Sequence, residues 1–408
     1  MSDRLSLGHR LWRLLPANAR RAGLNVMASA LAPSPDLVPP AYARGLAVAG
    51  EVGSATGLGE AARSLAAGAR ALGVGGQTVT MGVGKAPQGA IPKEAALLLA
   101  VNAPSLPLML ARAERDLLRG RRIIGAWAWE LPIVPQSWAV GRRYVHEIWA
   151  PSPFVAQALE LLLPGRVRMV PYPLALCGLP QVEADARLDL PEPAVVTLMV
   201  FSLGSSFARK NPLAGIEAFR RAFGNRPDRI LVVKLSGAQA FPREAARLAA
   251  EAGPNIRIIS GAWPRARMAA LMARADILLS LHRAEGFGLV LAEAMLRGKP
   301  VVATGWSGNL GFMDETSAAL IGCRLVPVED ASGIYAKLPG ALWAEPDVCH
   351  AAEWLRRLGD DAVLRAGLGG KARDHALAKL NGEAMRVALQ ANGVQPLMGG
   401  RGDVRGVC

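Results

Sequence analysis

Asp276-Ile-Leu-Leu-Ser280-Leu-His-Arg-Ala-Glu285-Gly-Phe-Gly-Leu-Val-Leu-Ala-Glu293 is the stretch whose reading decides the fold. Its first five residues enclose the short apolar run 277–279, as a buried strand does, and the segment 289–297 continues as a helix. Between them Gly286 and Gly288 let the backbone come close to a ligand. In open α/β sheets ligands bind outside the carboxyl ends of the strands, where helix N–H groups receive anions. Glu293 is the sole charged residue in 289–296, and a carboxylate on an otherwise apolar helix is costly to bury without a polar partner. A ribose with two hydroxyls would be such a partner; a rim position open to water would serve as well. Glu285 alone could simply be placed favourably before a helix N-terminus.

Outward from this unit the text alternates. On the carboxyl side comes a strand at 300–303 and a second Gly-rich loop, Thr304-Gly-Trp-Ser-Gly-Asn309. On the amino side, strands at 194–201, 230–235 and 256–259 are interleaved with helices at 212–223, 242–252 and 265–274. An earlier series has strands at 46–52, 96–101, 123–127, 147–150 and 167–170 and helices at 58–72 and 154–163. Strand–helix alternation implies parallel sheet with crossover helices. The Pro-rich segment 171–193 reads as a linker between two α/β units. The expected fold is α/β, two Rossmann-like domains facing each other across a cleft. Their expected bounds are 41–188 and 189–370, after a basic extension at 1–40 and before a C-terminal helix and flexible tail at 371–408.

The 408 residues suit two or three domains, and 51% hydrophobic with 20% charged residues is globular composition. A net charge of +14 favours anionic partners without choosing among them. The basic residues are scattered, with neither a zinc-finger spacing nor a basic stripe interleaved with aromatics, so nucleic acid is not expected. Cys177, Cys323, Cys349 and Cys408 lie far apart, which argues for a reducing compartment. With no signal-peptide pattern and no long apolar span, a cytoplasmic location is expected. Segment 4–15 mixes leucines and Trp12 with Arg4, Arg10 and Arg13; it reads as a basic amphipathic helix on a membrane surface or as a loose tail.

Phe201-Ser-Leu-Gly-Ser-Ser-Phe-Ala-Arg209-Lys210-Asn211-Pro212 sets two cations just before a helix. Cations there oppose the helix dipole, so they want an anion between them, and a diphosphate is the obvious candidate. At this point a resemblance emerges. Ile148-Trp-Ala-Pro-Ser152, Arg209-Lys-Asn-Pro212, the pair Glu285/Glu293 and Val301-Val-Ala-Thr-Gly-Trp-Ser-Gly-Asn309 together resemble the retaining glycosyltransferases of family four, bacterial group 1 enzymes of GT-B fold. Gly57-Leu-Gly-Glu60 and Trp127-Ala-Trp-Glu130 are similar to a bacterial branch of that family. The likeness covers most of 45–370, and the ordered series is more specific than the glutamate pair alone.

The resemblance implies roles. Lys210, with Arg209, would meet the diphosphate of a nucleoside-diphosphate sugar. Glu285 would lie near the transferred sugar and Glu293 on the ribose. Backbone N–H groups of Gly286, Phe287, Gly288 and Leu289 would contact sugar and phosphate. The loop 53–59, with Gly57 and Gly59, would face the donor across the cleft, and Trp129 and Glu130 lie on the acceptor side. Gly204 stands where many members have an arginine, and Arg209 would supply the missing charge. The implied reaction is transfer of a hexosyl group to a hydroxyl of a glycan or lipid-linked acceptor, in polysaccharide synthesis. No Asp-x-Asp pair ends a strand, so neither metal nor other cofactor is expected. The alternatives are a nucleotide-sugar epimerase or phosphorylase of the same fold, a degenerate relative, or a basic nucleic-acid-binding protein. A dehydrogenase fits poorly, because 53–59 lacks the G-x-G-x-x-G spacing. Trp127, Trp129, Trp138 and Trp149 could stack on acceptor sugars or fill the core.

Overall fold

The computed structural model describes residues 17–83, 85–183, 188–335 and 338–397, without side chains for 17–22. The amphipathic segment 4–15 lies outside the described residues.

After a helix at Ala17–Leu31 and a two-residue strand β1 (Ala43–Arg44), the first sheet forms. It contains β2 (Leu46–Gly50), β3 (Gly75–Thr80), β4 (Ala96–Ala100), β5 (Ile123–Ala126), β6 (Glu147–Ala150) and β7 (Val167–Met169), in the order β3-β2-β4-β5-β6-β7, every pair parallel. All five residues of β2 and of β4 are buried. Strands covered on both faces read as unbroken apolar runs, which is why the sequence shows them plainly. β3 escaped the sequence reading because Gly75 and Gly76 both take positive φ and three of its six residues are exposed.

The second sheet contains β8 (Val195–Ser202), β9 (Arg229–Ser236), β10 (Ile256–Ser260), β11 (Ile277–Ser280), β12 (Val301–Thr304) and β13 (Ala319–Ile321), in the order β10-β9-β8-β11-β12-β13, again all parallel. Helices Pro212–Phe223, Pro242–Ala249, Arg265–Arg274 and Leu289–Leu296 connect its strands. Both sheets change strand order beside their third or fourth strand, the topology that opens a crevice at the carboxyl ends. Each half is a Rossmann-like α/β domain.

Three features depart from the sequence reading. The segment expected to be a linker carries a short helix, Leu174–Cys177. An antiparallel hairpin of β14 (Cys323–Pro327) and β15 (Leu342–Pro346) follows the second sheet. The C-terminal part is helical as expected, and the departure is a strand at the start of the segment expected to be a flexible tail. Helices Ala362–Lys379 and Glu383–Ala391 lead to β16 (Val394–Gln395), which pairs in parallel with β1. Asn392 fastens this return: its amide donates to Glu147 Oε1 (2.8 Å) and its carbonyl accepts from Arg122 (3.0 Å). Gly68 makes room for the returning chain, since a Cβ there would lie 3.1 Å from Met385 Sδ and 2.4 Å from Pro173.

Candidate active site

The carboxyl ends of β8 and β11 carry the charged groups. After β8 a tight turn leads through Ser206, held at φ 66°, into the four-residue helix Phe207–Lys210. Ser206 caps it, its hydroxyl accepting from the Arg209 N–H at 3.2 Å. Asn211, left-handed at φ 48°, then turns the chain into helix Pro212–Phe223. Arg209 and Lys210 close this short helix and directly precede helix Pro212–Phe223, as the sequence reading has them. They already have an anion. Lys210 Nζ is hydrogen-bonded to Glu285 Oε1, and Arg209 Nη1 lies 3.2 Å from the same oxygen. Arg209 also donates to the carbonyls of Ala284 (2.7 Å) and Ser205 (3.2 Å) and is 3% exposed.

Burial by itself would raise the Glu285 carboxyl, but Lys210 and Arg209 outweigh it and push it down to about 2. The carboxylate is therefore ionised at neutral pH. Burial lowers the Lys210 ammonium more than Glu285 raises it. Arg209, opposed by burial, is held firmly charged by the carboxylates of Glu285 and Glu130.

The loop bearing Glu285 is held from below by the second Gly-rich loop. Glu285 N–H donates to Ser307 Oγ (2.8 Å), and Gly308 N–H to the Glu285 carbonyl (2.8 Å). The approach is so close that a Cβ on Gly308 would lie 2.1 Å from the Gly286 carbonyl. His282 lies beneath, fully buried between Ser280 Oγ and Asn309 Oδ1, each at 3.1 Å. Asn309 spends its amide on the Thr304 carbonyl (3.1 Å), so its oxygen accepts and His282 carries its proton on Nε2. Burial pushes this imidazole down, keeping it neutral.

Gly288, at φ 98°, starts helix Leu289–Leu296, and no side chain caps that N-terminus. Its backbone N–H groups are left for water or a ligand. Phe287 turns its ring inward between Tyr172 and Phe312, both at 4.8 Å, so only its backbone can serve the site. Glu293 lies one turn along, bridged to Arg297 at 3.3 Å; burial pushes its carboxyl up against that cation.

The first domain closes on this surface. Ser152 Oγ donates to the Gly286 carbonyl (2.7 Å), and Gly286 is pressed so close to Trp129 that a Cβ would sit 2.8 Å from its carbonyl. Helix Gly57–Ala71 points its N-terminus toward the same side; its Glu60 bridges Arg265 at 2.6 Å. Gly57 and Gly59 differ. A Cβ on Gly57 would meet nothing within 4 Å, whereas one on Gly59 would lie 2.4 Å from the Ser54 carbonyl. Glu130 reaches the cluster, 4.0 Å from Arg209. Trp129 does not present a face to an acceptor. It is buried, donates its indole N–H to Ile133 (2.8 Å) and packs on Trp138 and Tyr335. Trp127, Trp138 and Trp149 are core residues too. His146 holds β5, accepting the Ile123 N–H at 2.9 Å.

Tyr335 went unnoticed in the sequence, as did its neighbour Asp330. Tyr335 donates to Glu130 Oε2 (2.9 Å), and Asp330 accepts from Ser206 Oγ (2.9 Å). No spacing announces them, because they reach the site through a long hairpin loop. A Cβ placed on Gly204 would rest in ordinary contact with Phe241 (3.5 Å) and Ser202 Oγ (3.6 Å), so an alanine fits there. Among the described residues no group of three or more His, Cys, Asp or Glu side chains could hold a metal ion.

Comparison with known proteins bears on this site. Residues 193–321 match the family model described as glycosyl transferases group 1. A D-inositol 3-phosphate glycosyltransferase of Xylanimonas cellulosilytica is 31% identical over 160 residues, 37% of this chain and 34% of its own length. A GDP-mannose-dependent monoacylated alpha-(1-6)-phosphatidylinositol monomannoside mannosyltransferase of Corynebacterium glutamicum is 29% identical over 184 residues, 43% of this chain and 42% of its own. The chain thus spans less than half the length of these curated relatives. The crystal structure of Anabaena HepE in complex with UDP and glucose superposes over 85% of this chain and 100% of its own, with TM-score 0.55 at 14% identity, a likeness of fold alone. Residues 193–321 therefore carry the group 1 glycosyl transferase pattern, within a chain whose two Rossmann-like domains have the GT-B fold.

Proposed function

We propose that this chain is a retaining glycosyltransferase of the family-four type. It would move a sugar from a nucleoside diphosphate to an acceptor hydroxyl in glycan synthesis. The observation that carries the reading is the convergence of Lys210, Arg209 and Glu285 at the strand ends, beside the uncapped N-terminus of helix Leu289–Leu296. Both curated relatives are named as glycosyltransferases, one of them dependent on GDP-mannose, and HepE was crystallised with UDP and glucose.

The chemistry follows from the charges. As the bond to the anomeric carbon breaks, the nucleoside diphosphate gathers negative charge. Fixed cations and oriented N–H groups stabilise that state more than the ground state. Lys210, Arg209 and the backbone of Gly286 to Leu289 supply the field. Glu285 is now shared by the two cations; an arriving diphosphate takes its place, and the freed carboxylate orients the sugar and steadies its oxocarbenium-like centre. Glu293 holds the ribose, and its raised carboxyl suits a group that shares hydrogen bonds with hydroxyls. Glu130 faces the acceptor side, and Gly57 faces the donor across the cleft. Cations take the part a metal ion plays elsewhere, so no cofactor is required.

A panel of nucleoside-diphosphate sugars, assayed for transfer and for acceptor-free release, tests this. One sugar should turn over, in excess chelator as in its absence, and Lys210→Ala should cost roughly 10²–10³ in rate. A Lys210→Ala variant at the full rate, or activity lost to chelator and restored by Mg²⁺, would contradict it. Nucleotide release that needs no acceptor would favour an epimerase instead.

The same reading gives the chain a lipid-linked acceptor met at a membrane surface. Helix Ala17–Leu31 supports it by burying Ala28 and exposing Leu24, Met27 and Leu31, three and four residues apart, with Val26 exposed as well. Leu37 and Val38 extend this apolar ridge, and exposed arginines border it: Arg143, which reaches Ser34, and Arg119, whose neighbour Gly120 donates to Asp36. No described helix is long and apolar enough to cross a membrane.

A further inference from the structure

The hairpin of β14 and β15 grows from the second domain, yet its apolar side chains pack into the core of the first. Val326, Val328, Leu338, Ala341 and Trp343 join the cluster built around Trp127 and Trp138. Its base is tied to the loop that carries Glu285. Arg283 bridges Glu345 at 2.7 Å and donates to the Ala208 carbonyl at 2.7 Å. Its tip is tied to the cation turn, where Asp330 Oδ1 accepts from Ser206 Oγ, the cap over Arg209, while Asp330 Oδ2 accepts the Tyr335 N–H at 3.1 Å. The hairpin is thus a strap that fixes Tyr335 relative to Arg209.

From that position Tyr335 meets Glu130 of the opposite domain. Its hydroxyl donates to Glu130 Oε2 at 2.9 Å, while Glu130 Oε1 stands 4.0 Å from Arg209 Nη2, beyond hydrogen-bonding range. Arg209 and Lys210 are two cations, and Glu285 and Glu130 two carboxylates, so the cluster is neutral without a ligand. A diphosphate must take the cations away from carboxylates. Glu285 can swing toward the sugar; Glu130, brought in by the other domain, would remain as a competitor unless something holds it.

We propose that Tyr335 is a positioning residue that holds the Glu130 carboxylate off Arg209, keeping the guanidinium available to a donor diphosphate. Burial and Glu130 both push the phenol up, so it stays a hydrogen-bond donor at any working pH. Without the hydroxyl, Glu130 is free to close the remaining gap and form a direct bond with Arg209. The diphosphate would then have to break a charge-assisted bond before it could bind.

The inference rests on the donor reading above, and one calorimetric set separates the two. UDP, GDP, ADP and dTDP are titrated into the wild-type full chain. Whichever binds is then titrated into Tyr335→Phe, Glu130→Gln and the double variant. Phenylalanine keeps the ring on Trp129 (centroids 5.4 Å apart), so the fold should persist, checked by an unchanged melting profile. Tyr335→Phe should weaken the nucleotide about tenfold, the loss expected when a charged rival gains a hydrogen bond. Removing the rival's charge as well should restore affinity, so the double variant should bind like wild type. Equal affinity in Tyr335→Phe and wild type overturns the proposal. So does a double variant as weak as Tyr335→Phe, because the tyrosine would then act through packing rather than through Glu130. Failure of the wild type to bind any of the four nucleotides sinks the donor reading itself, and this inference with it.

Discussion

Glu285 is shared by Lys210 and Arg209, and side-chain exposures of 11%, 19% and 4% leave the three little help from water. Removing one partner of such a buried pair typically costs about 3–5 kcal/mol, because the other charge is left uncompensated. The pH dependence follows from the depressed carboxyl. Its folded value of about 2 lies below the ordinary 4.5, so the pair stabilises the protein fully above about pH 5. That contribution is lost as pH falls from there toward 2. Glu285→Gln lacks the titration, so its stability deficit against wild type should be largest near neutrality and shrink below pH 4, measured by urea denaturation. A deficit independent of pH would show that Glu285 is not ion-paired in solution. The sequence made Lys210 and Glu285 readable although 75 positions separate them, because each follows a strand in a motif of its own. It could not show that they bond each other: that depends on β8 and β11 being neighbours in the sheet. Trp129 misled for a related reason. Its neighbour Glu130 does face the charged cluster, while the Trp129 ring turns into the core.

The elements that build the site do so through close backbone approach, and glycine is the residue that permits it. Gly57 and Gly59, two positions apart at the start of helix Gly57–Ala71, separate the two reasons for a glycine. Gly59 is packing: an alanine Cβ would collide with the Ser54 and Glu51 carbonyls, and backbone has to shift. Gly59→Ala should therefore destabilise by about 1–3 kcal/mol. Gly57 faces open space, so Gly57→Ala should fold with stability within about 0.5 kcal/mol of wild type. If the loop faces the donor, that variant should still bind nucleotide sugar more weakly. Thermal melts paired with donor titration decide the matter; a destabilised Gly57→Ala or an unperturbed Gly59→Ala would reverse the assignment. Strands such as β2, β4 and β6 were legible within a residue or two, being apolar runs bounded by breakers. The hairpin of β14 and β15 was not. Its first strand is largely exposed, and its stabilising contacts lie in the other domain.

At the scale of the whole molecule the two domains are held together by polar contacts that span the cleft. Ser152 to Gly286, Glu60 to Arg265 and Tyr335 to Glu130 are three of them. Long-range placement of this kind is invisible in a local pattern, as is the pairing of β16 with β1, which ties the end of the described chain to the first domain. The net charge of +14 acts at the same scale. If the apolar ridge from Leu24 to Val38 and its bordering arginines meet a bilayer, the full chain should sediment with vesicles containing anionic lipid. Binding should weaken with salt and fall when Leu24, Met27 and Leu31 are changed to serine. Equal binding to neutral and anionic vesicles would remove the arginines from this contact, and binding to neither would remove the membrane itself.

The central claim is that one pyrophosphate binds where Lys210, Arg209 and the amino end of helix Leu289–Leu296 converge. A crystal structure with the nucleoside diphosphate that the panel identifies tests it directly. Phosphate oxygens should lie about 3 Å from Lys210 Nζ and from backbone N–H groups between Gly286 and Leu289, with the Glu285 carboxylate displaced from the ammonium. A nucleotide bound with its phosphates elsewhere, and the Lys210–Glu285 pair intact, would contradict it.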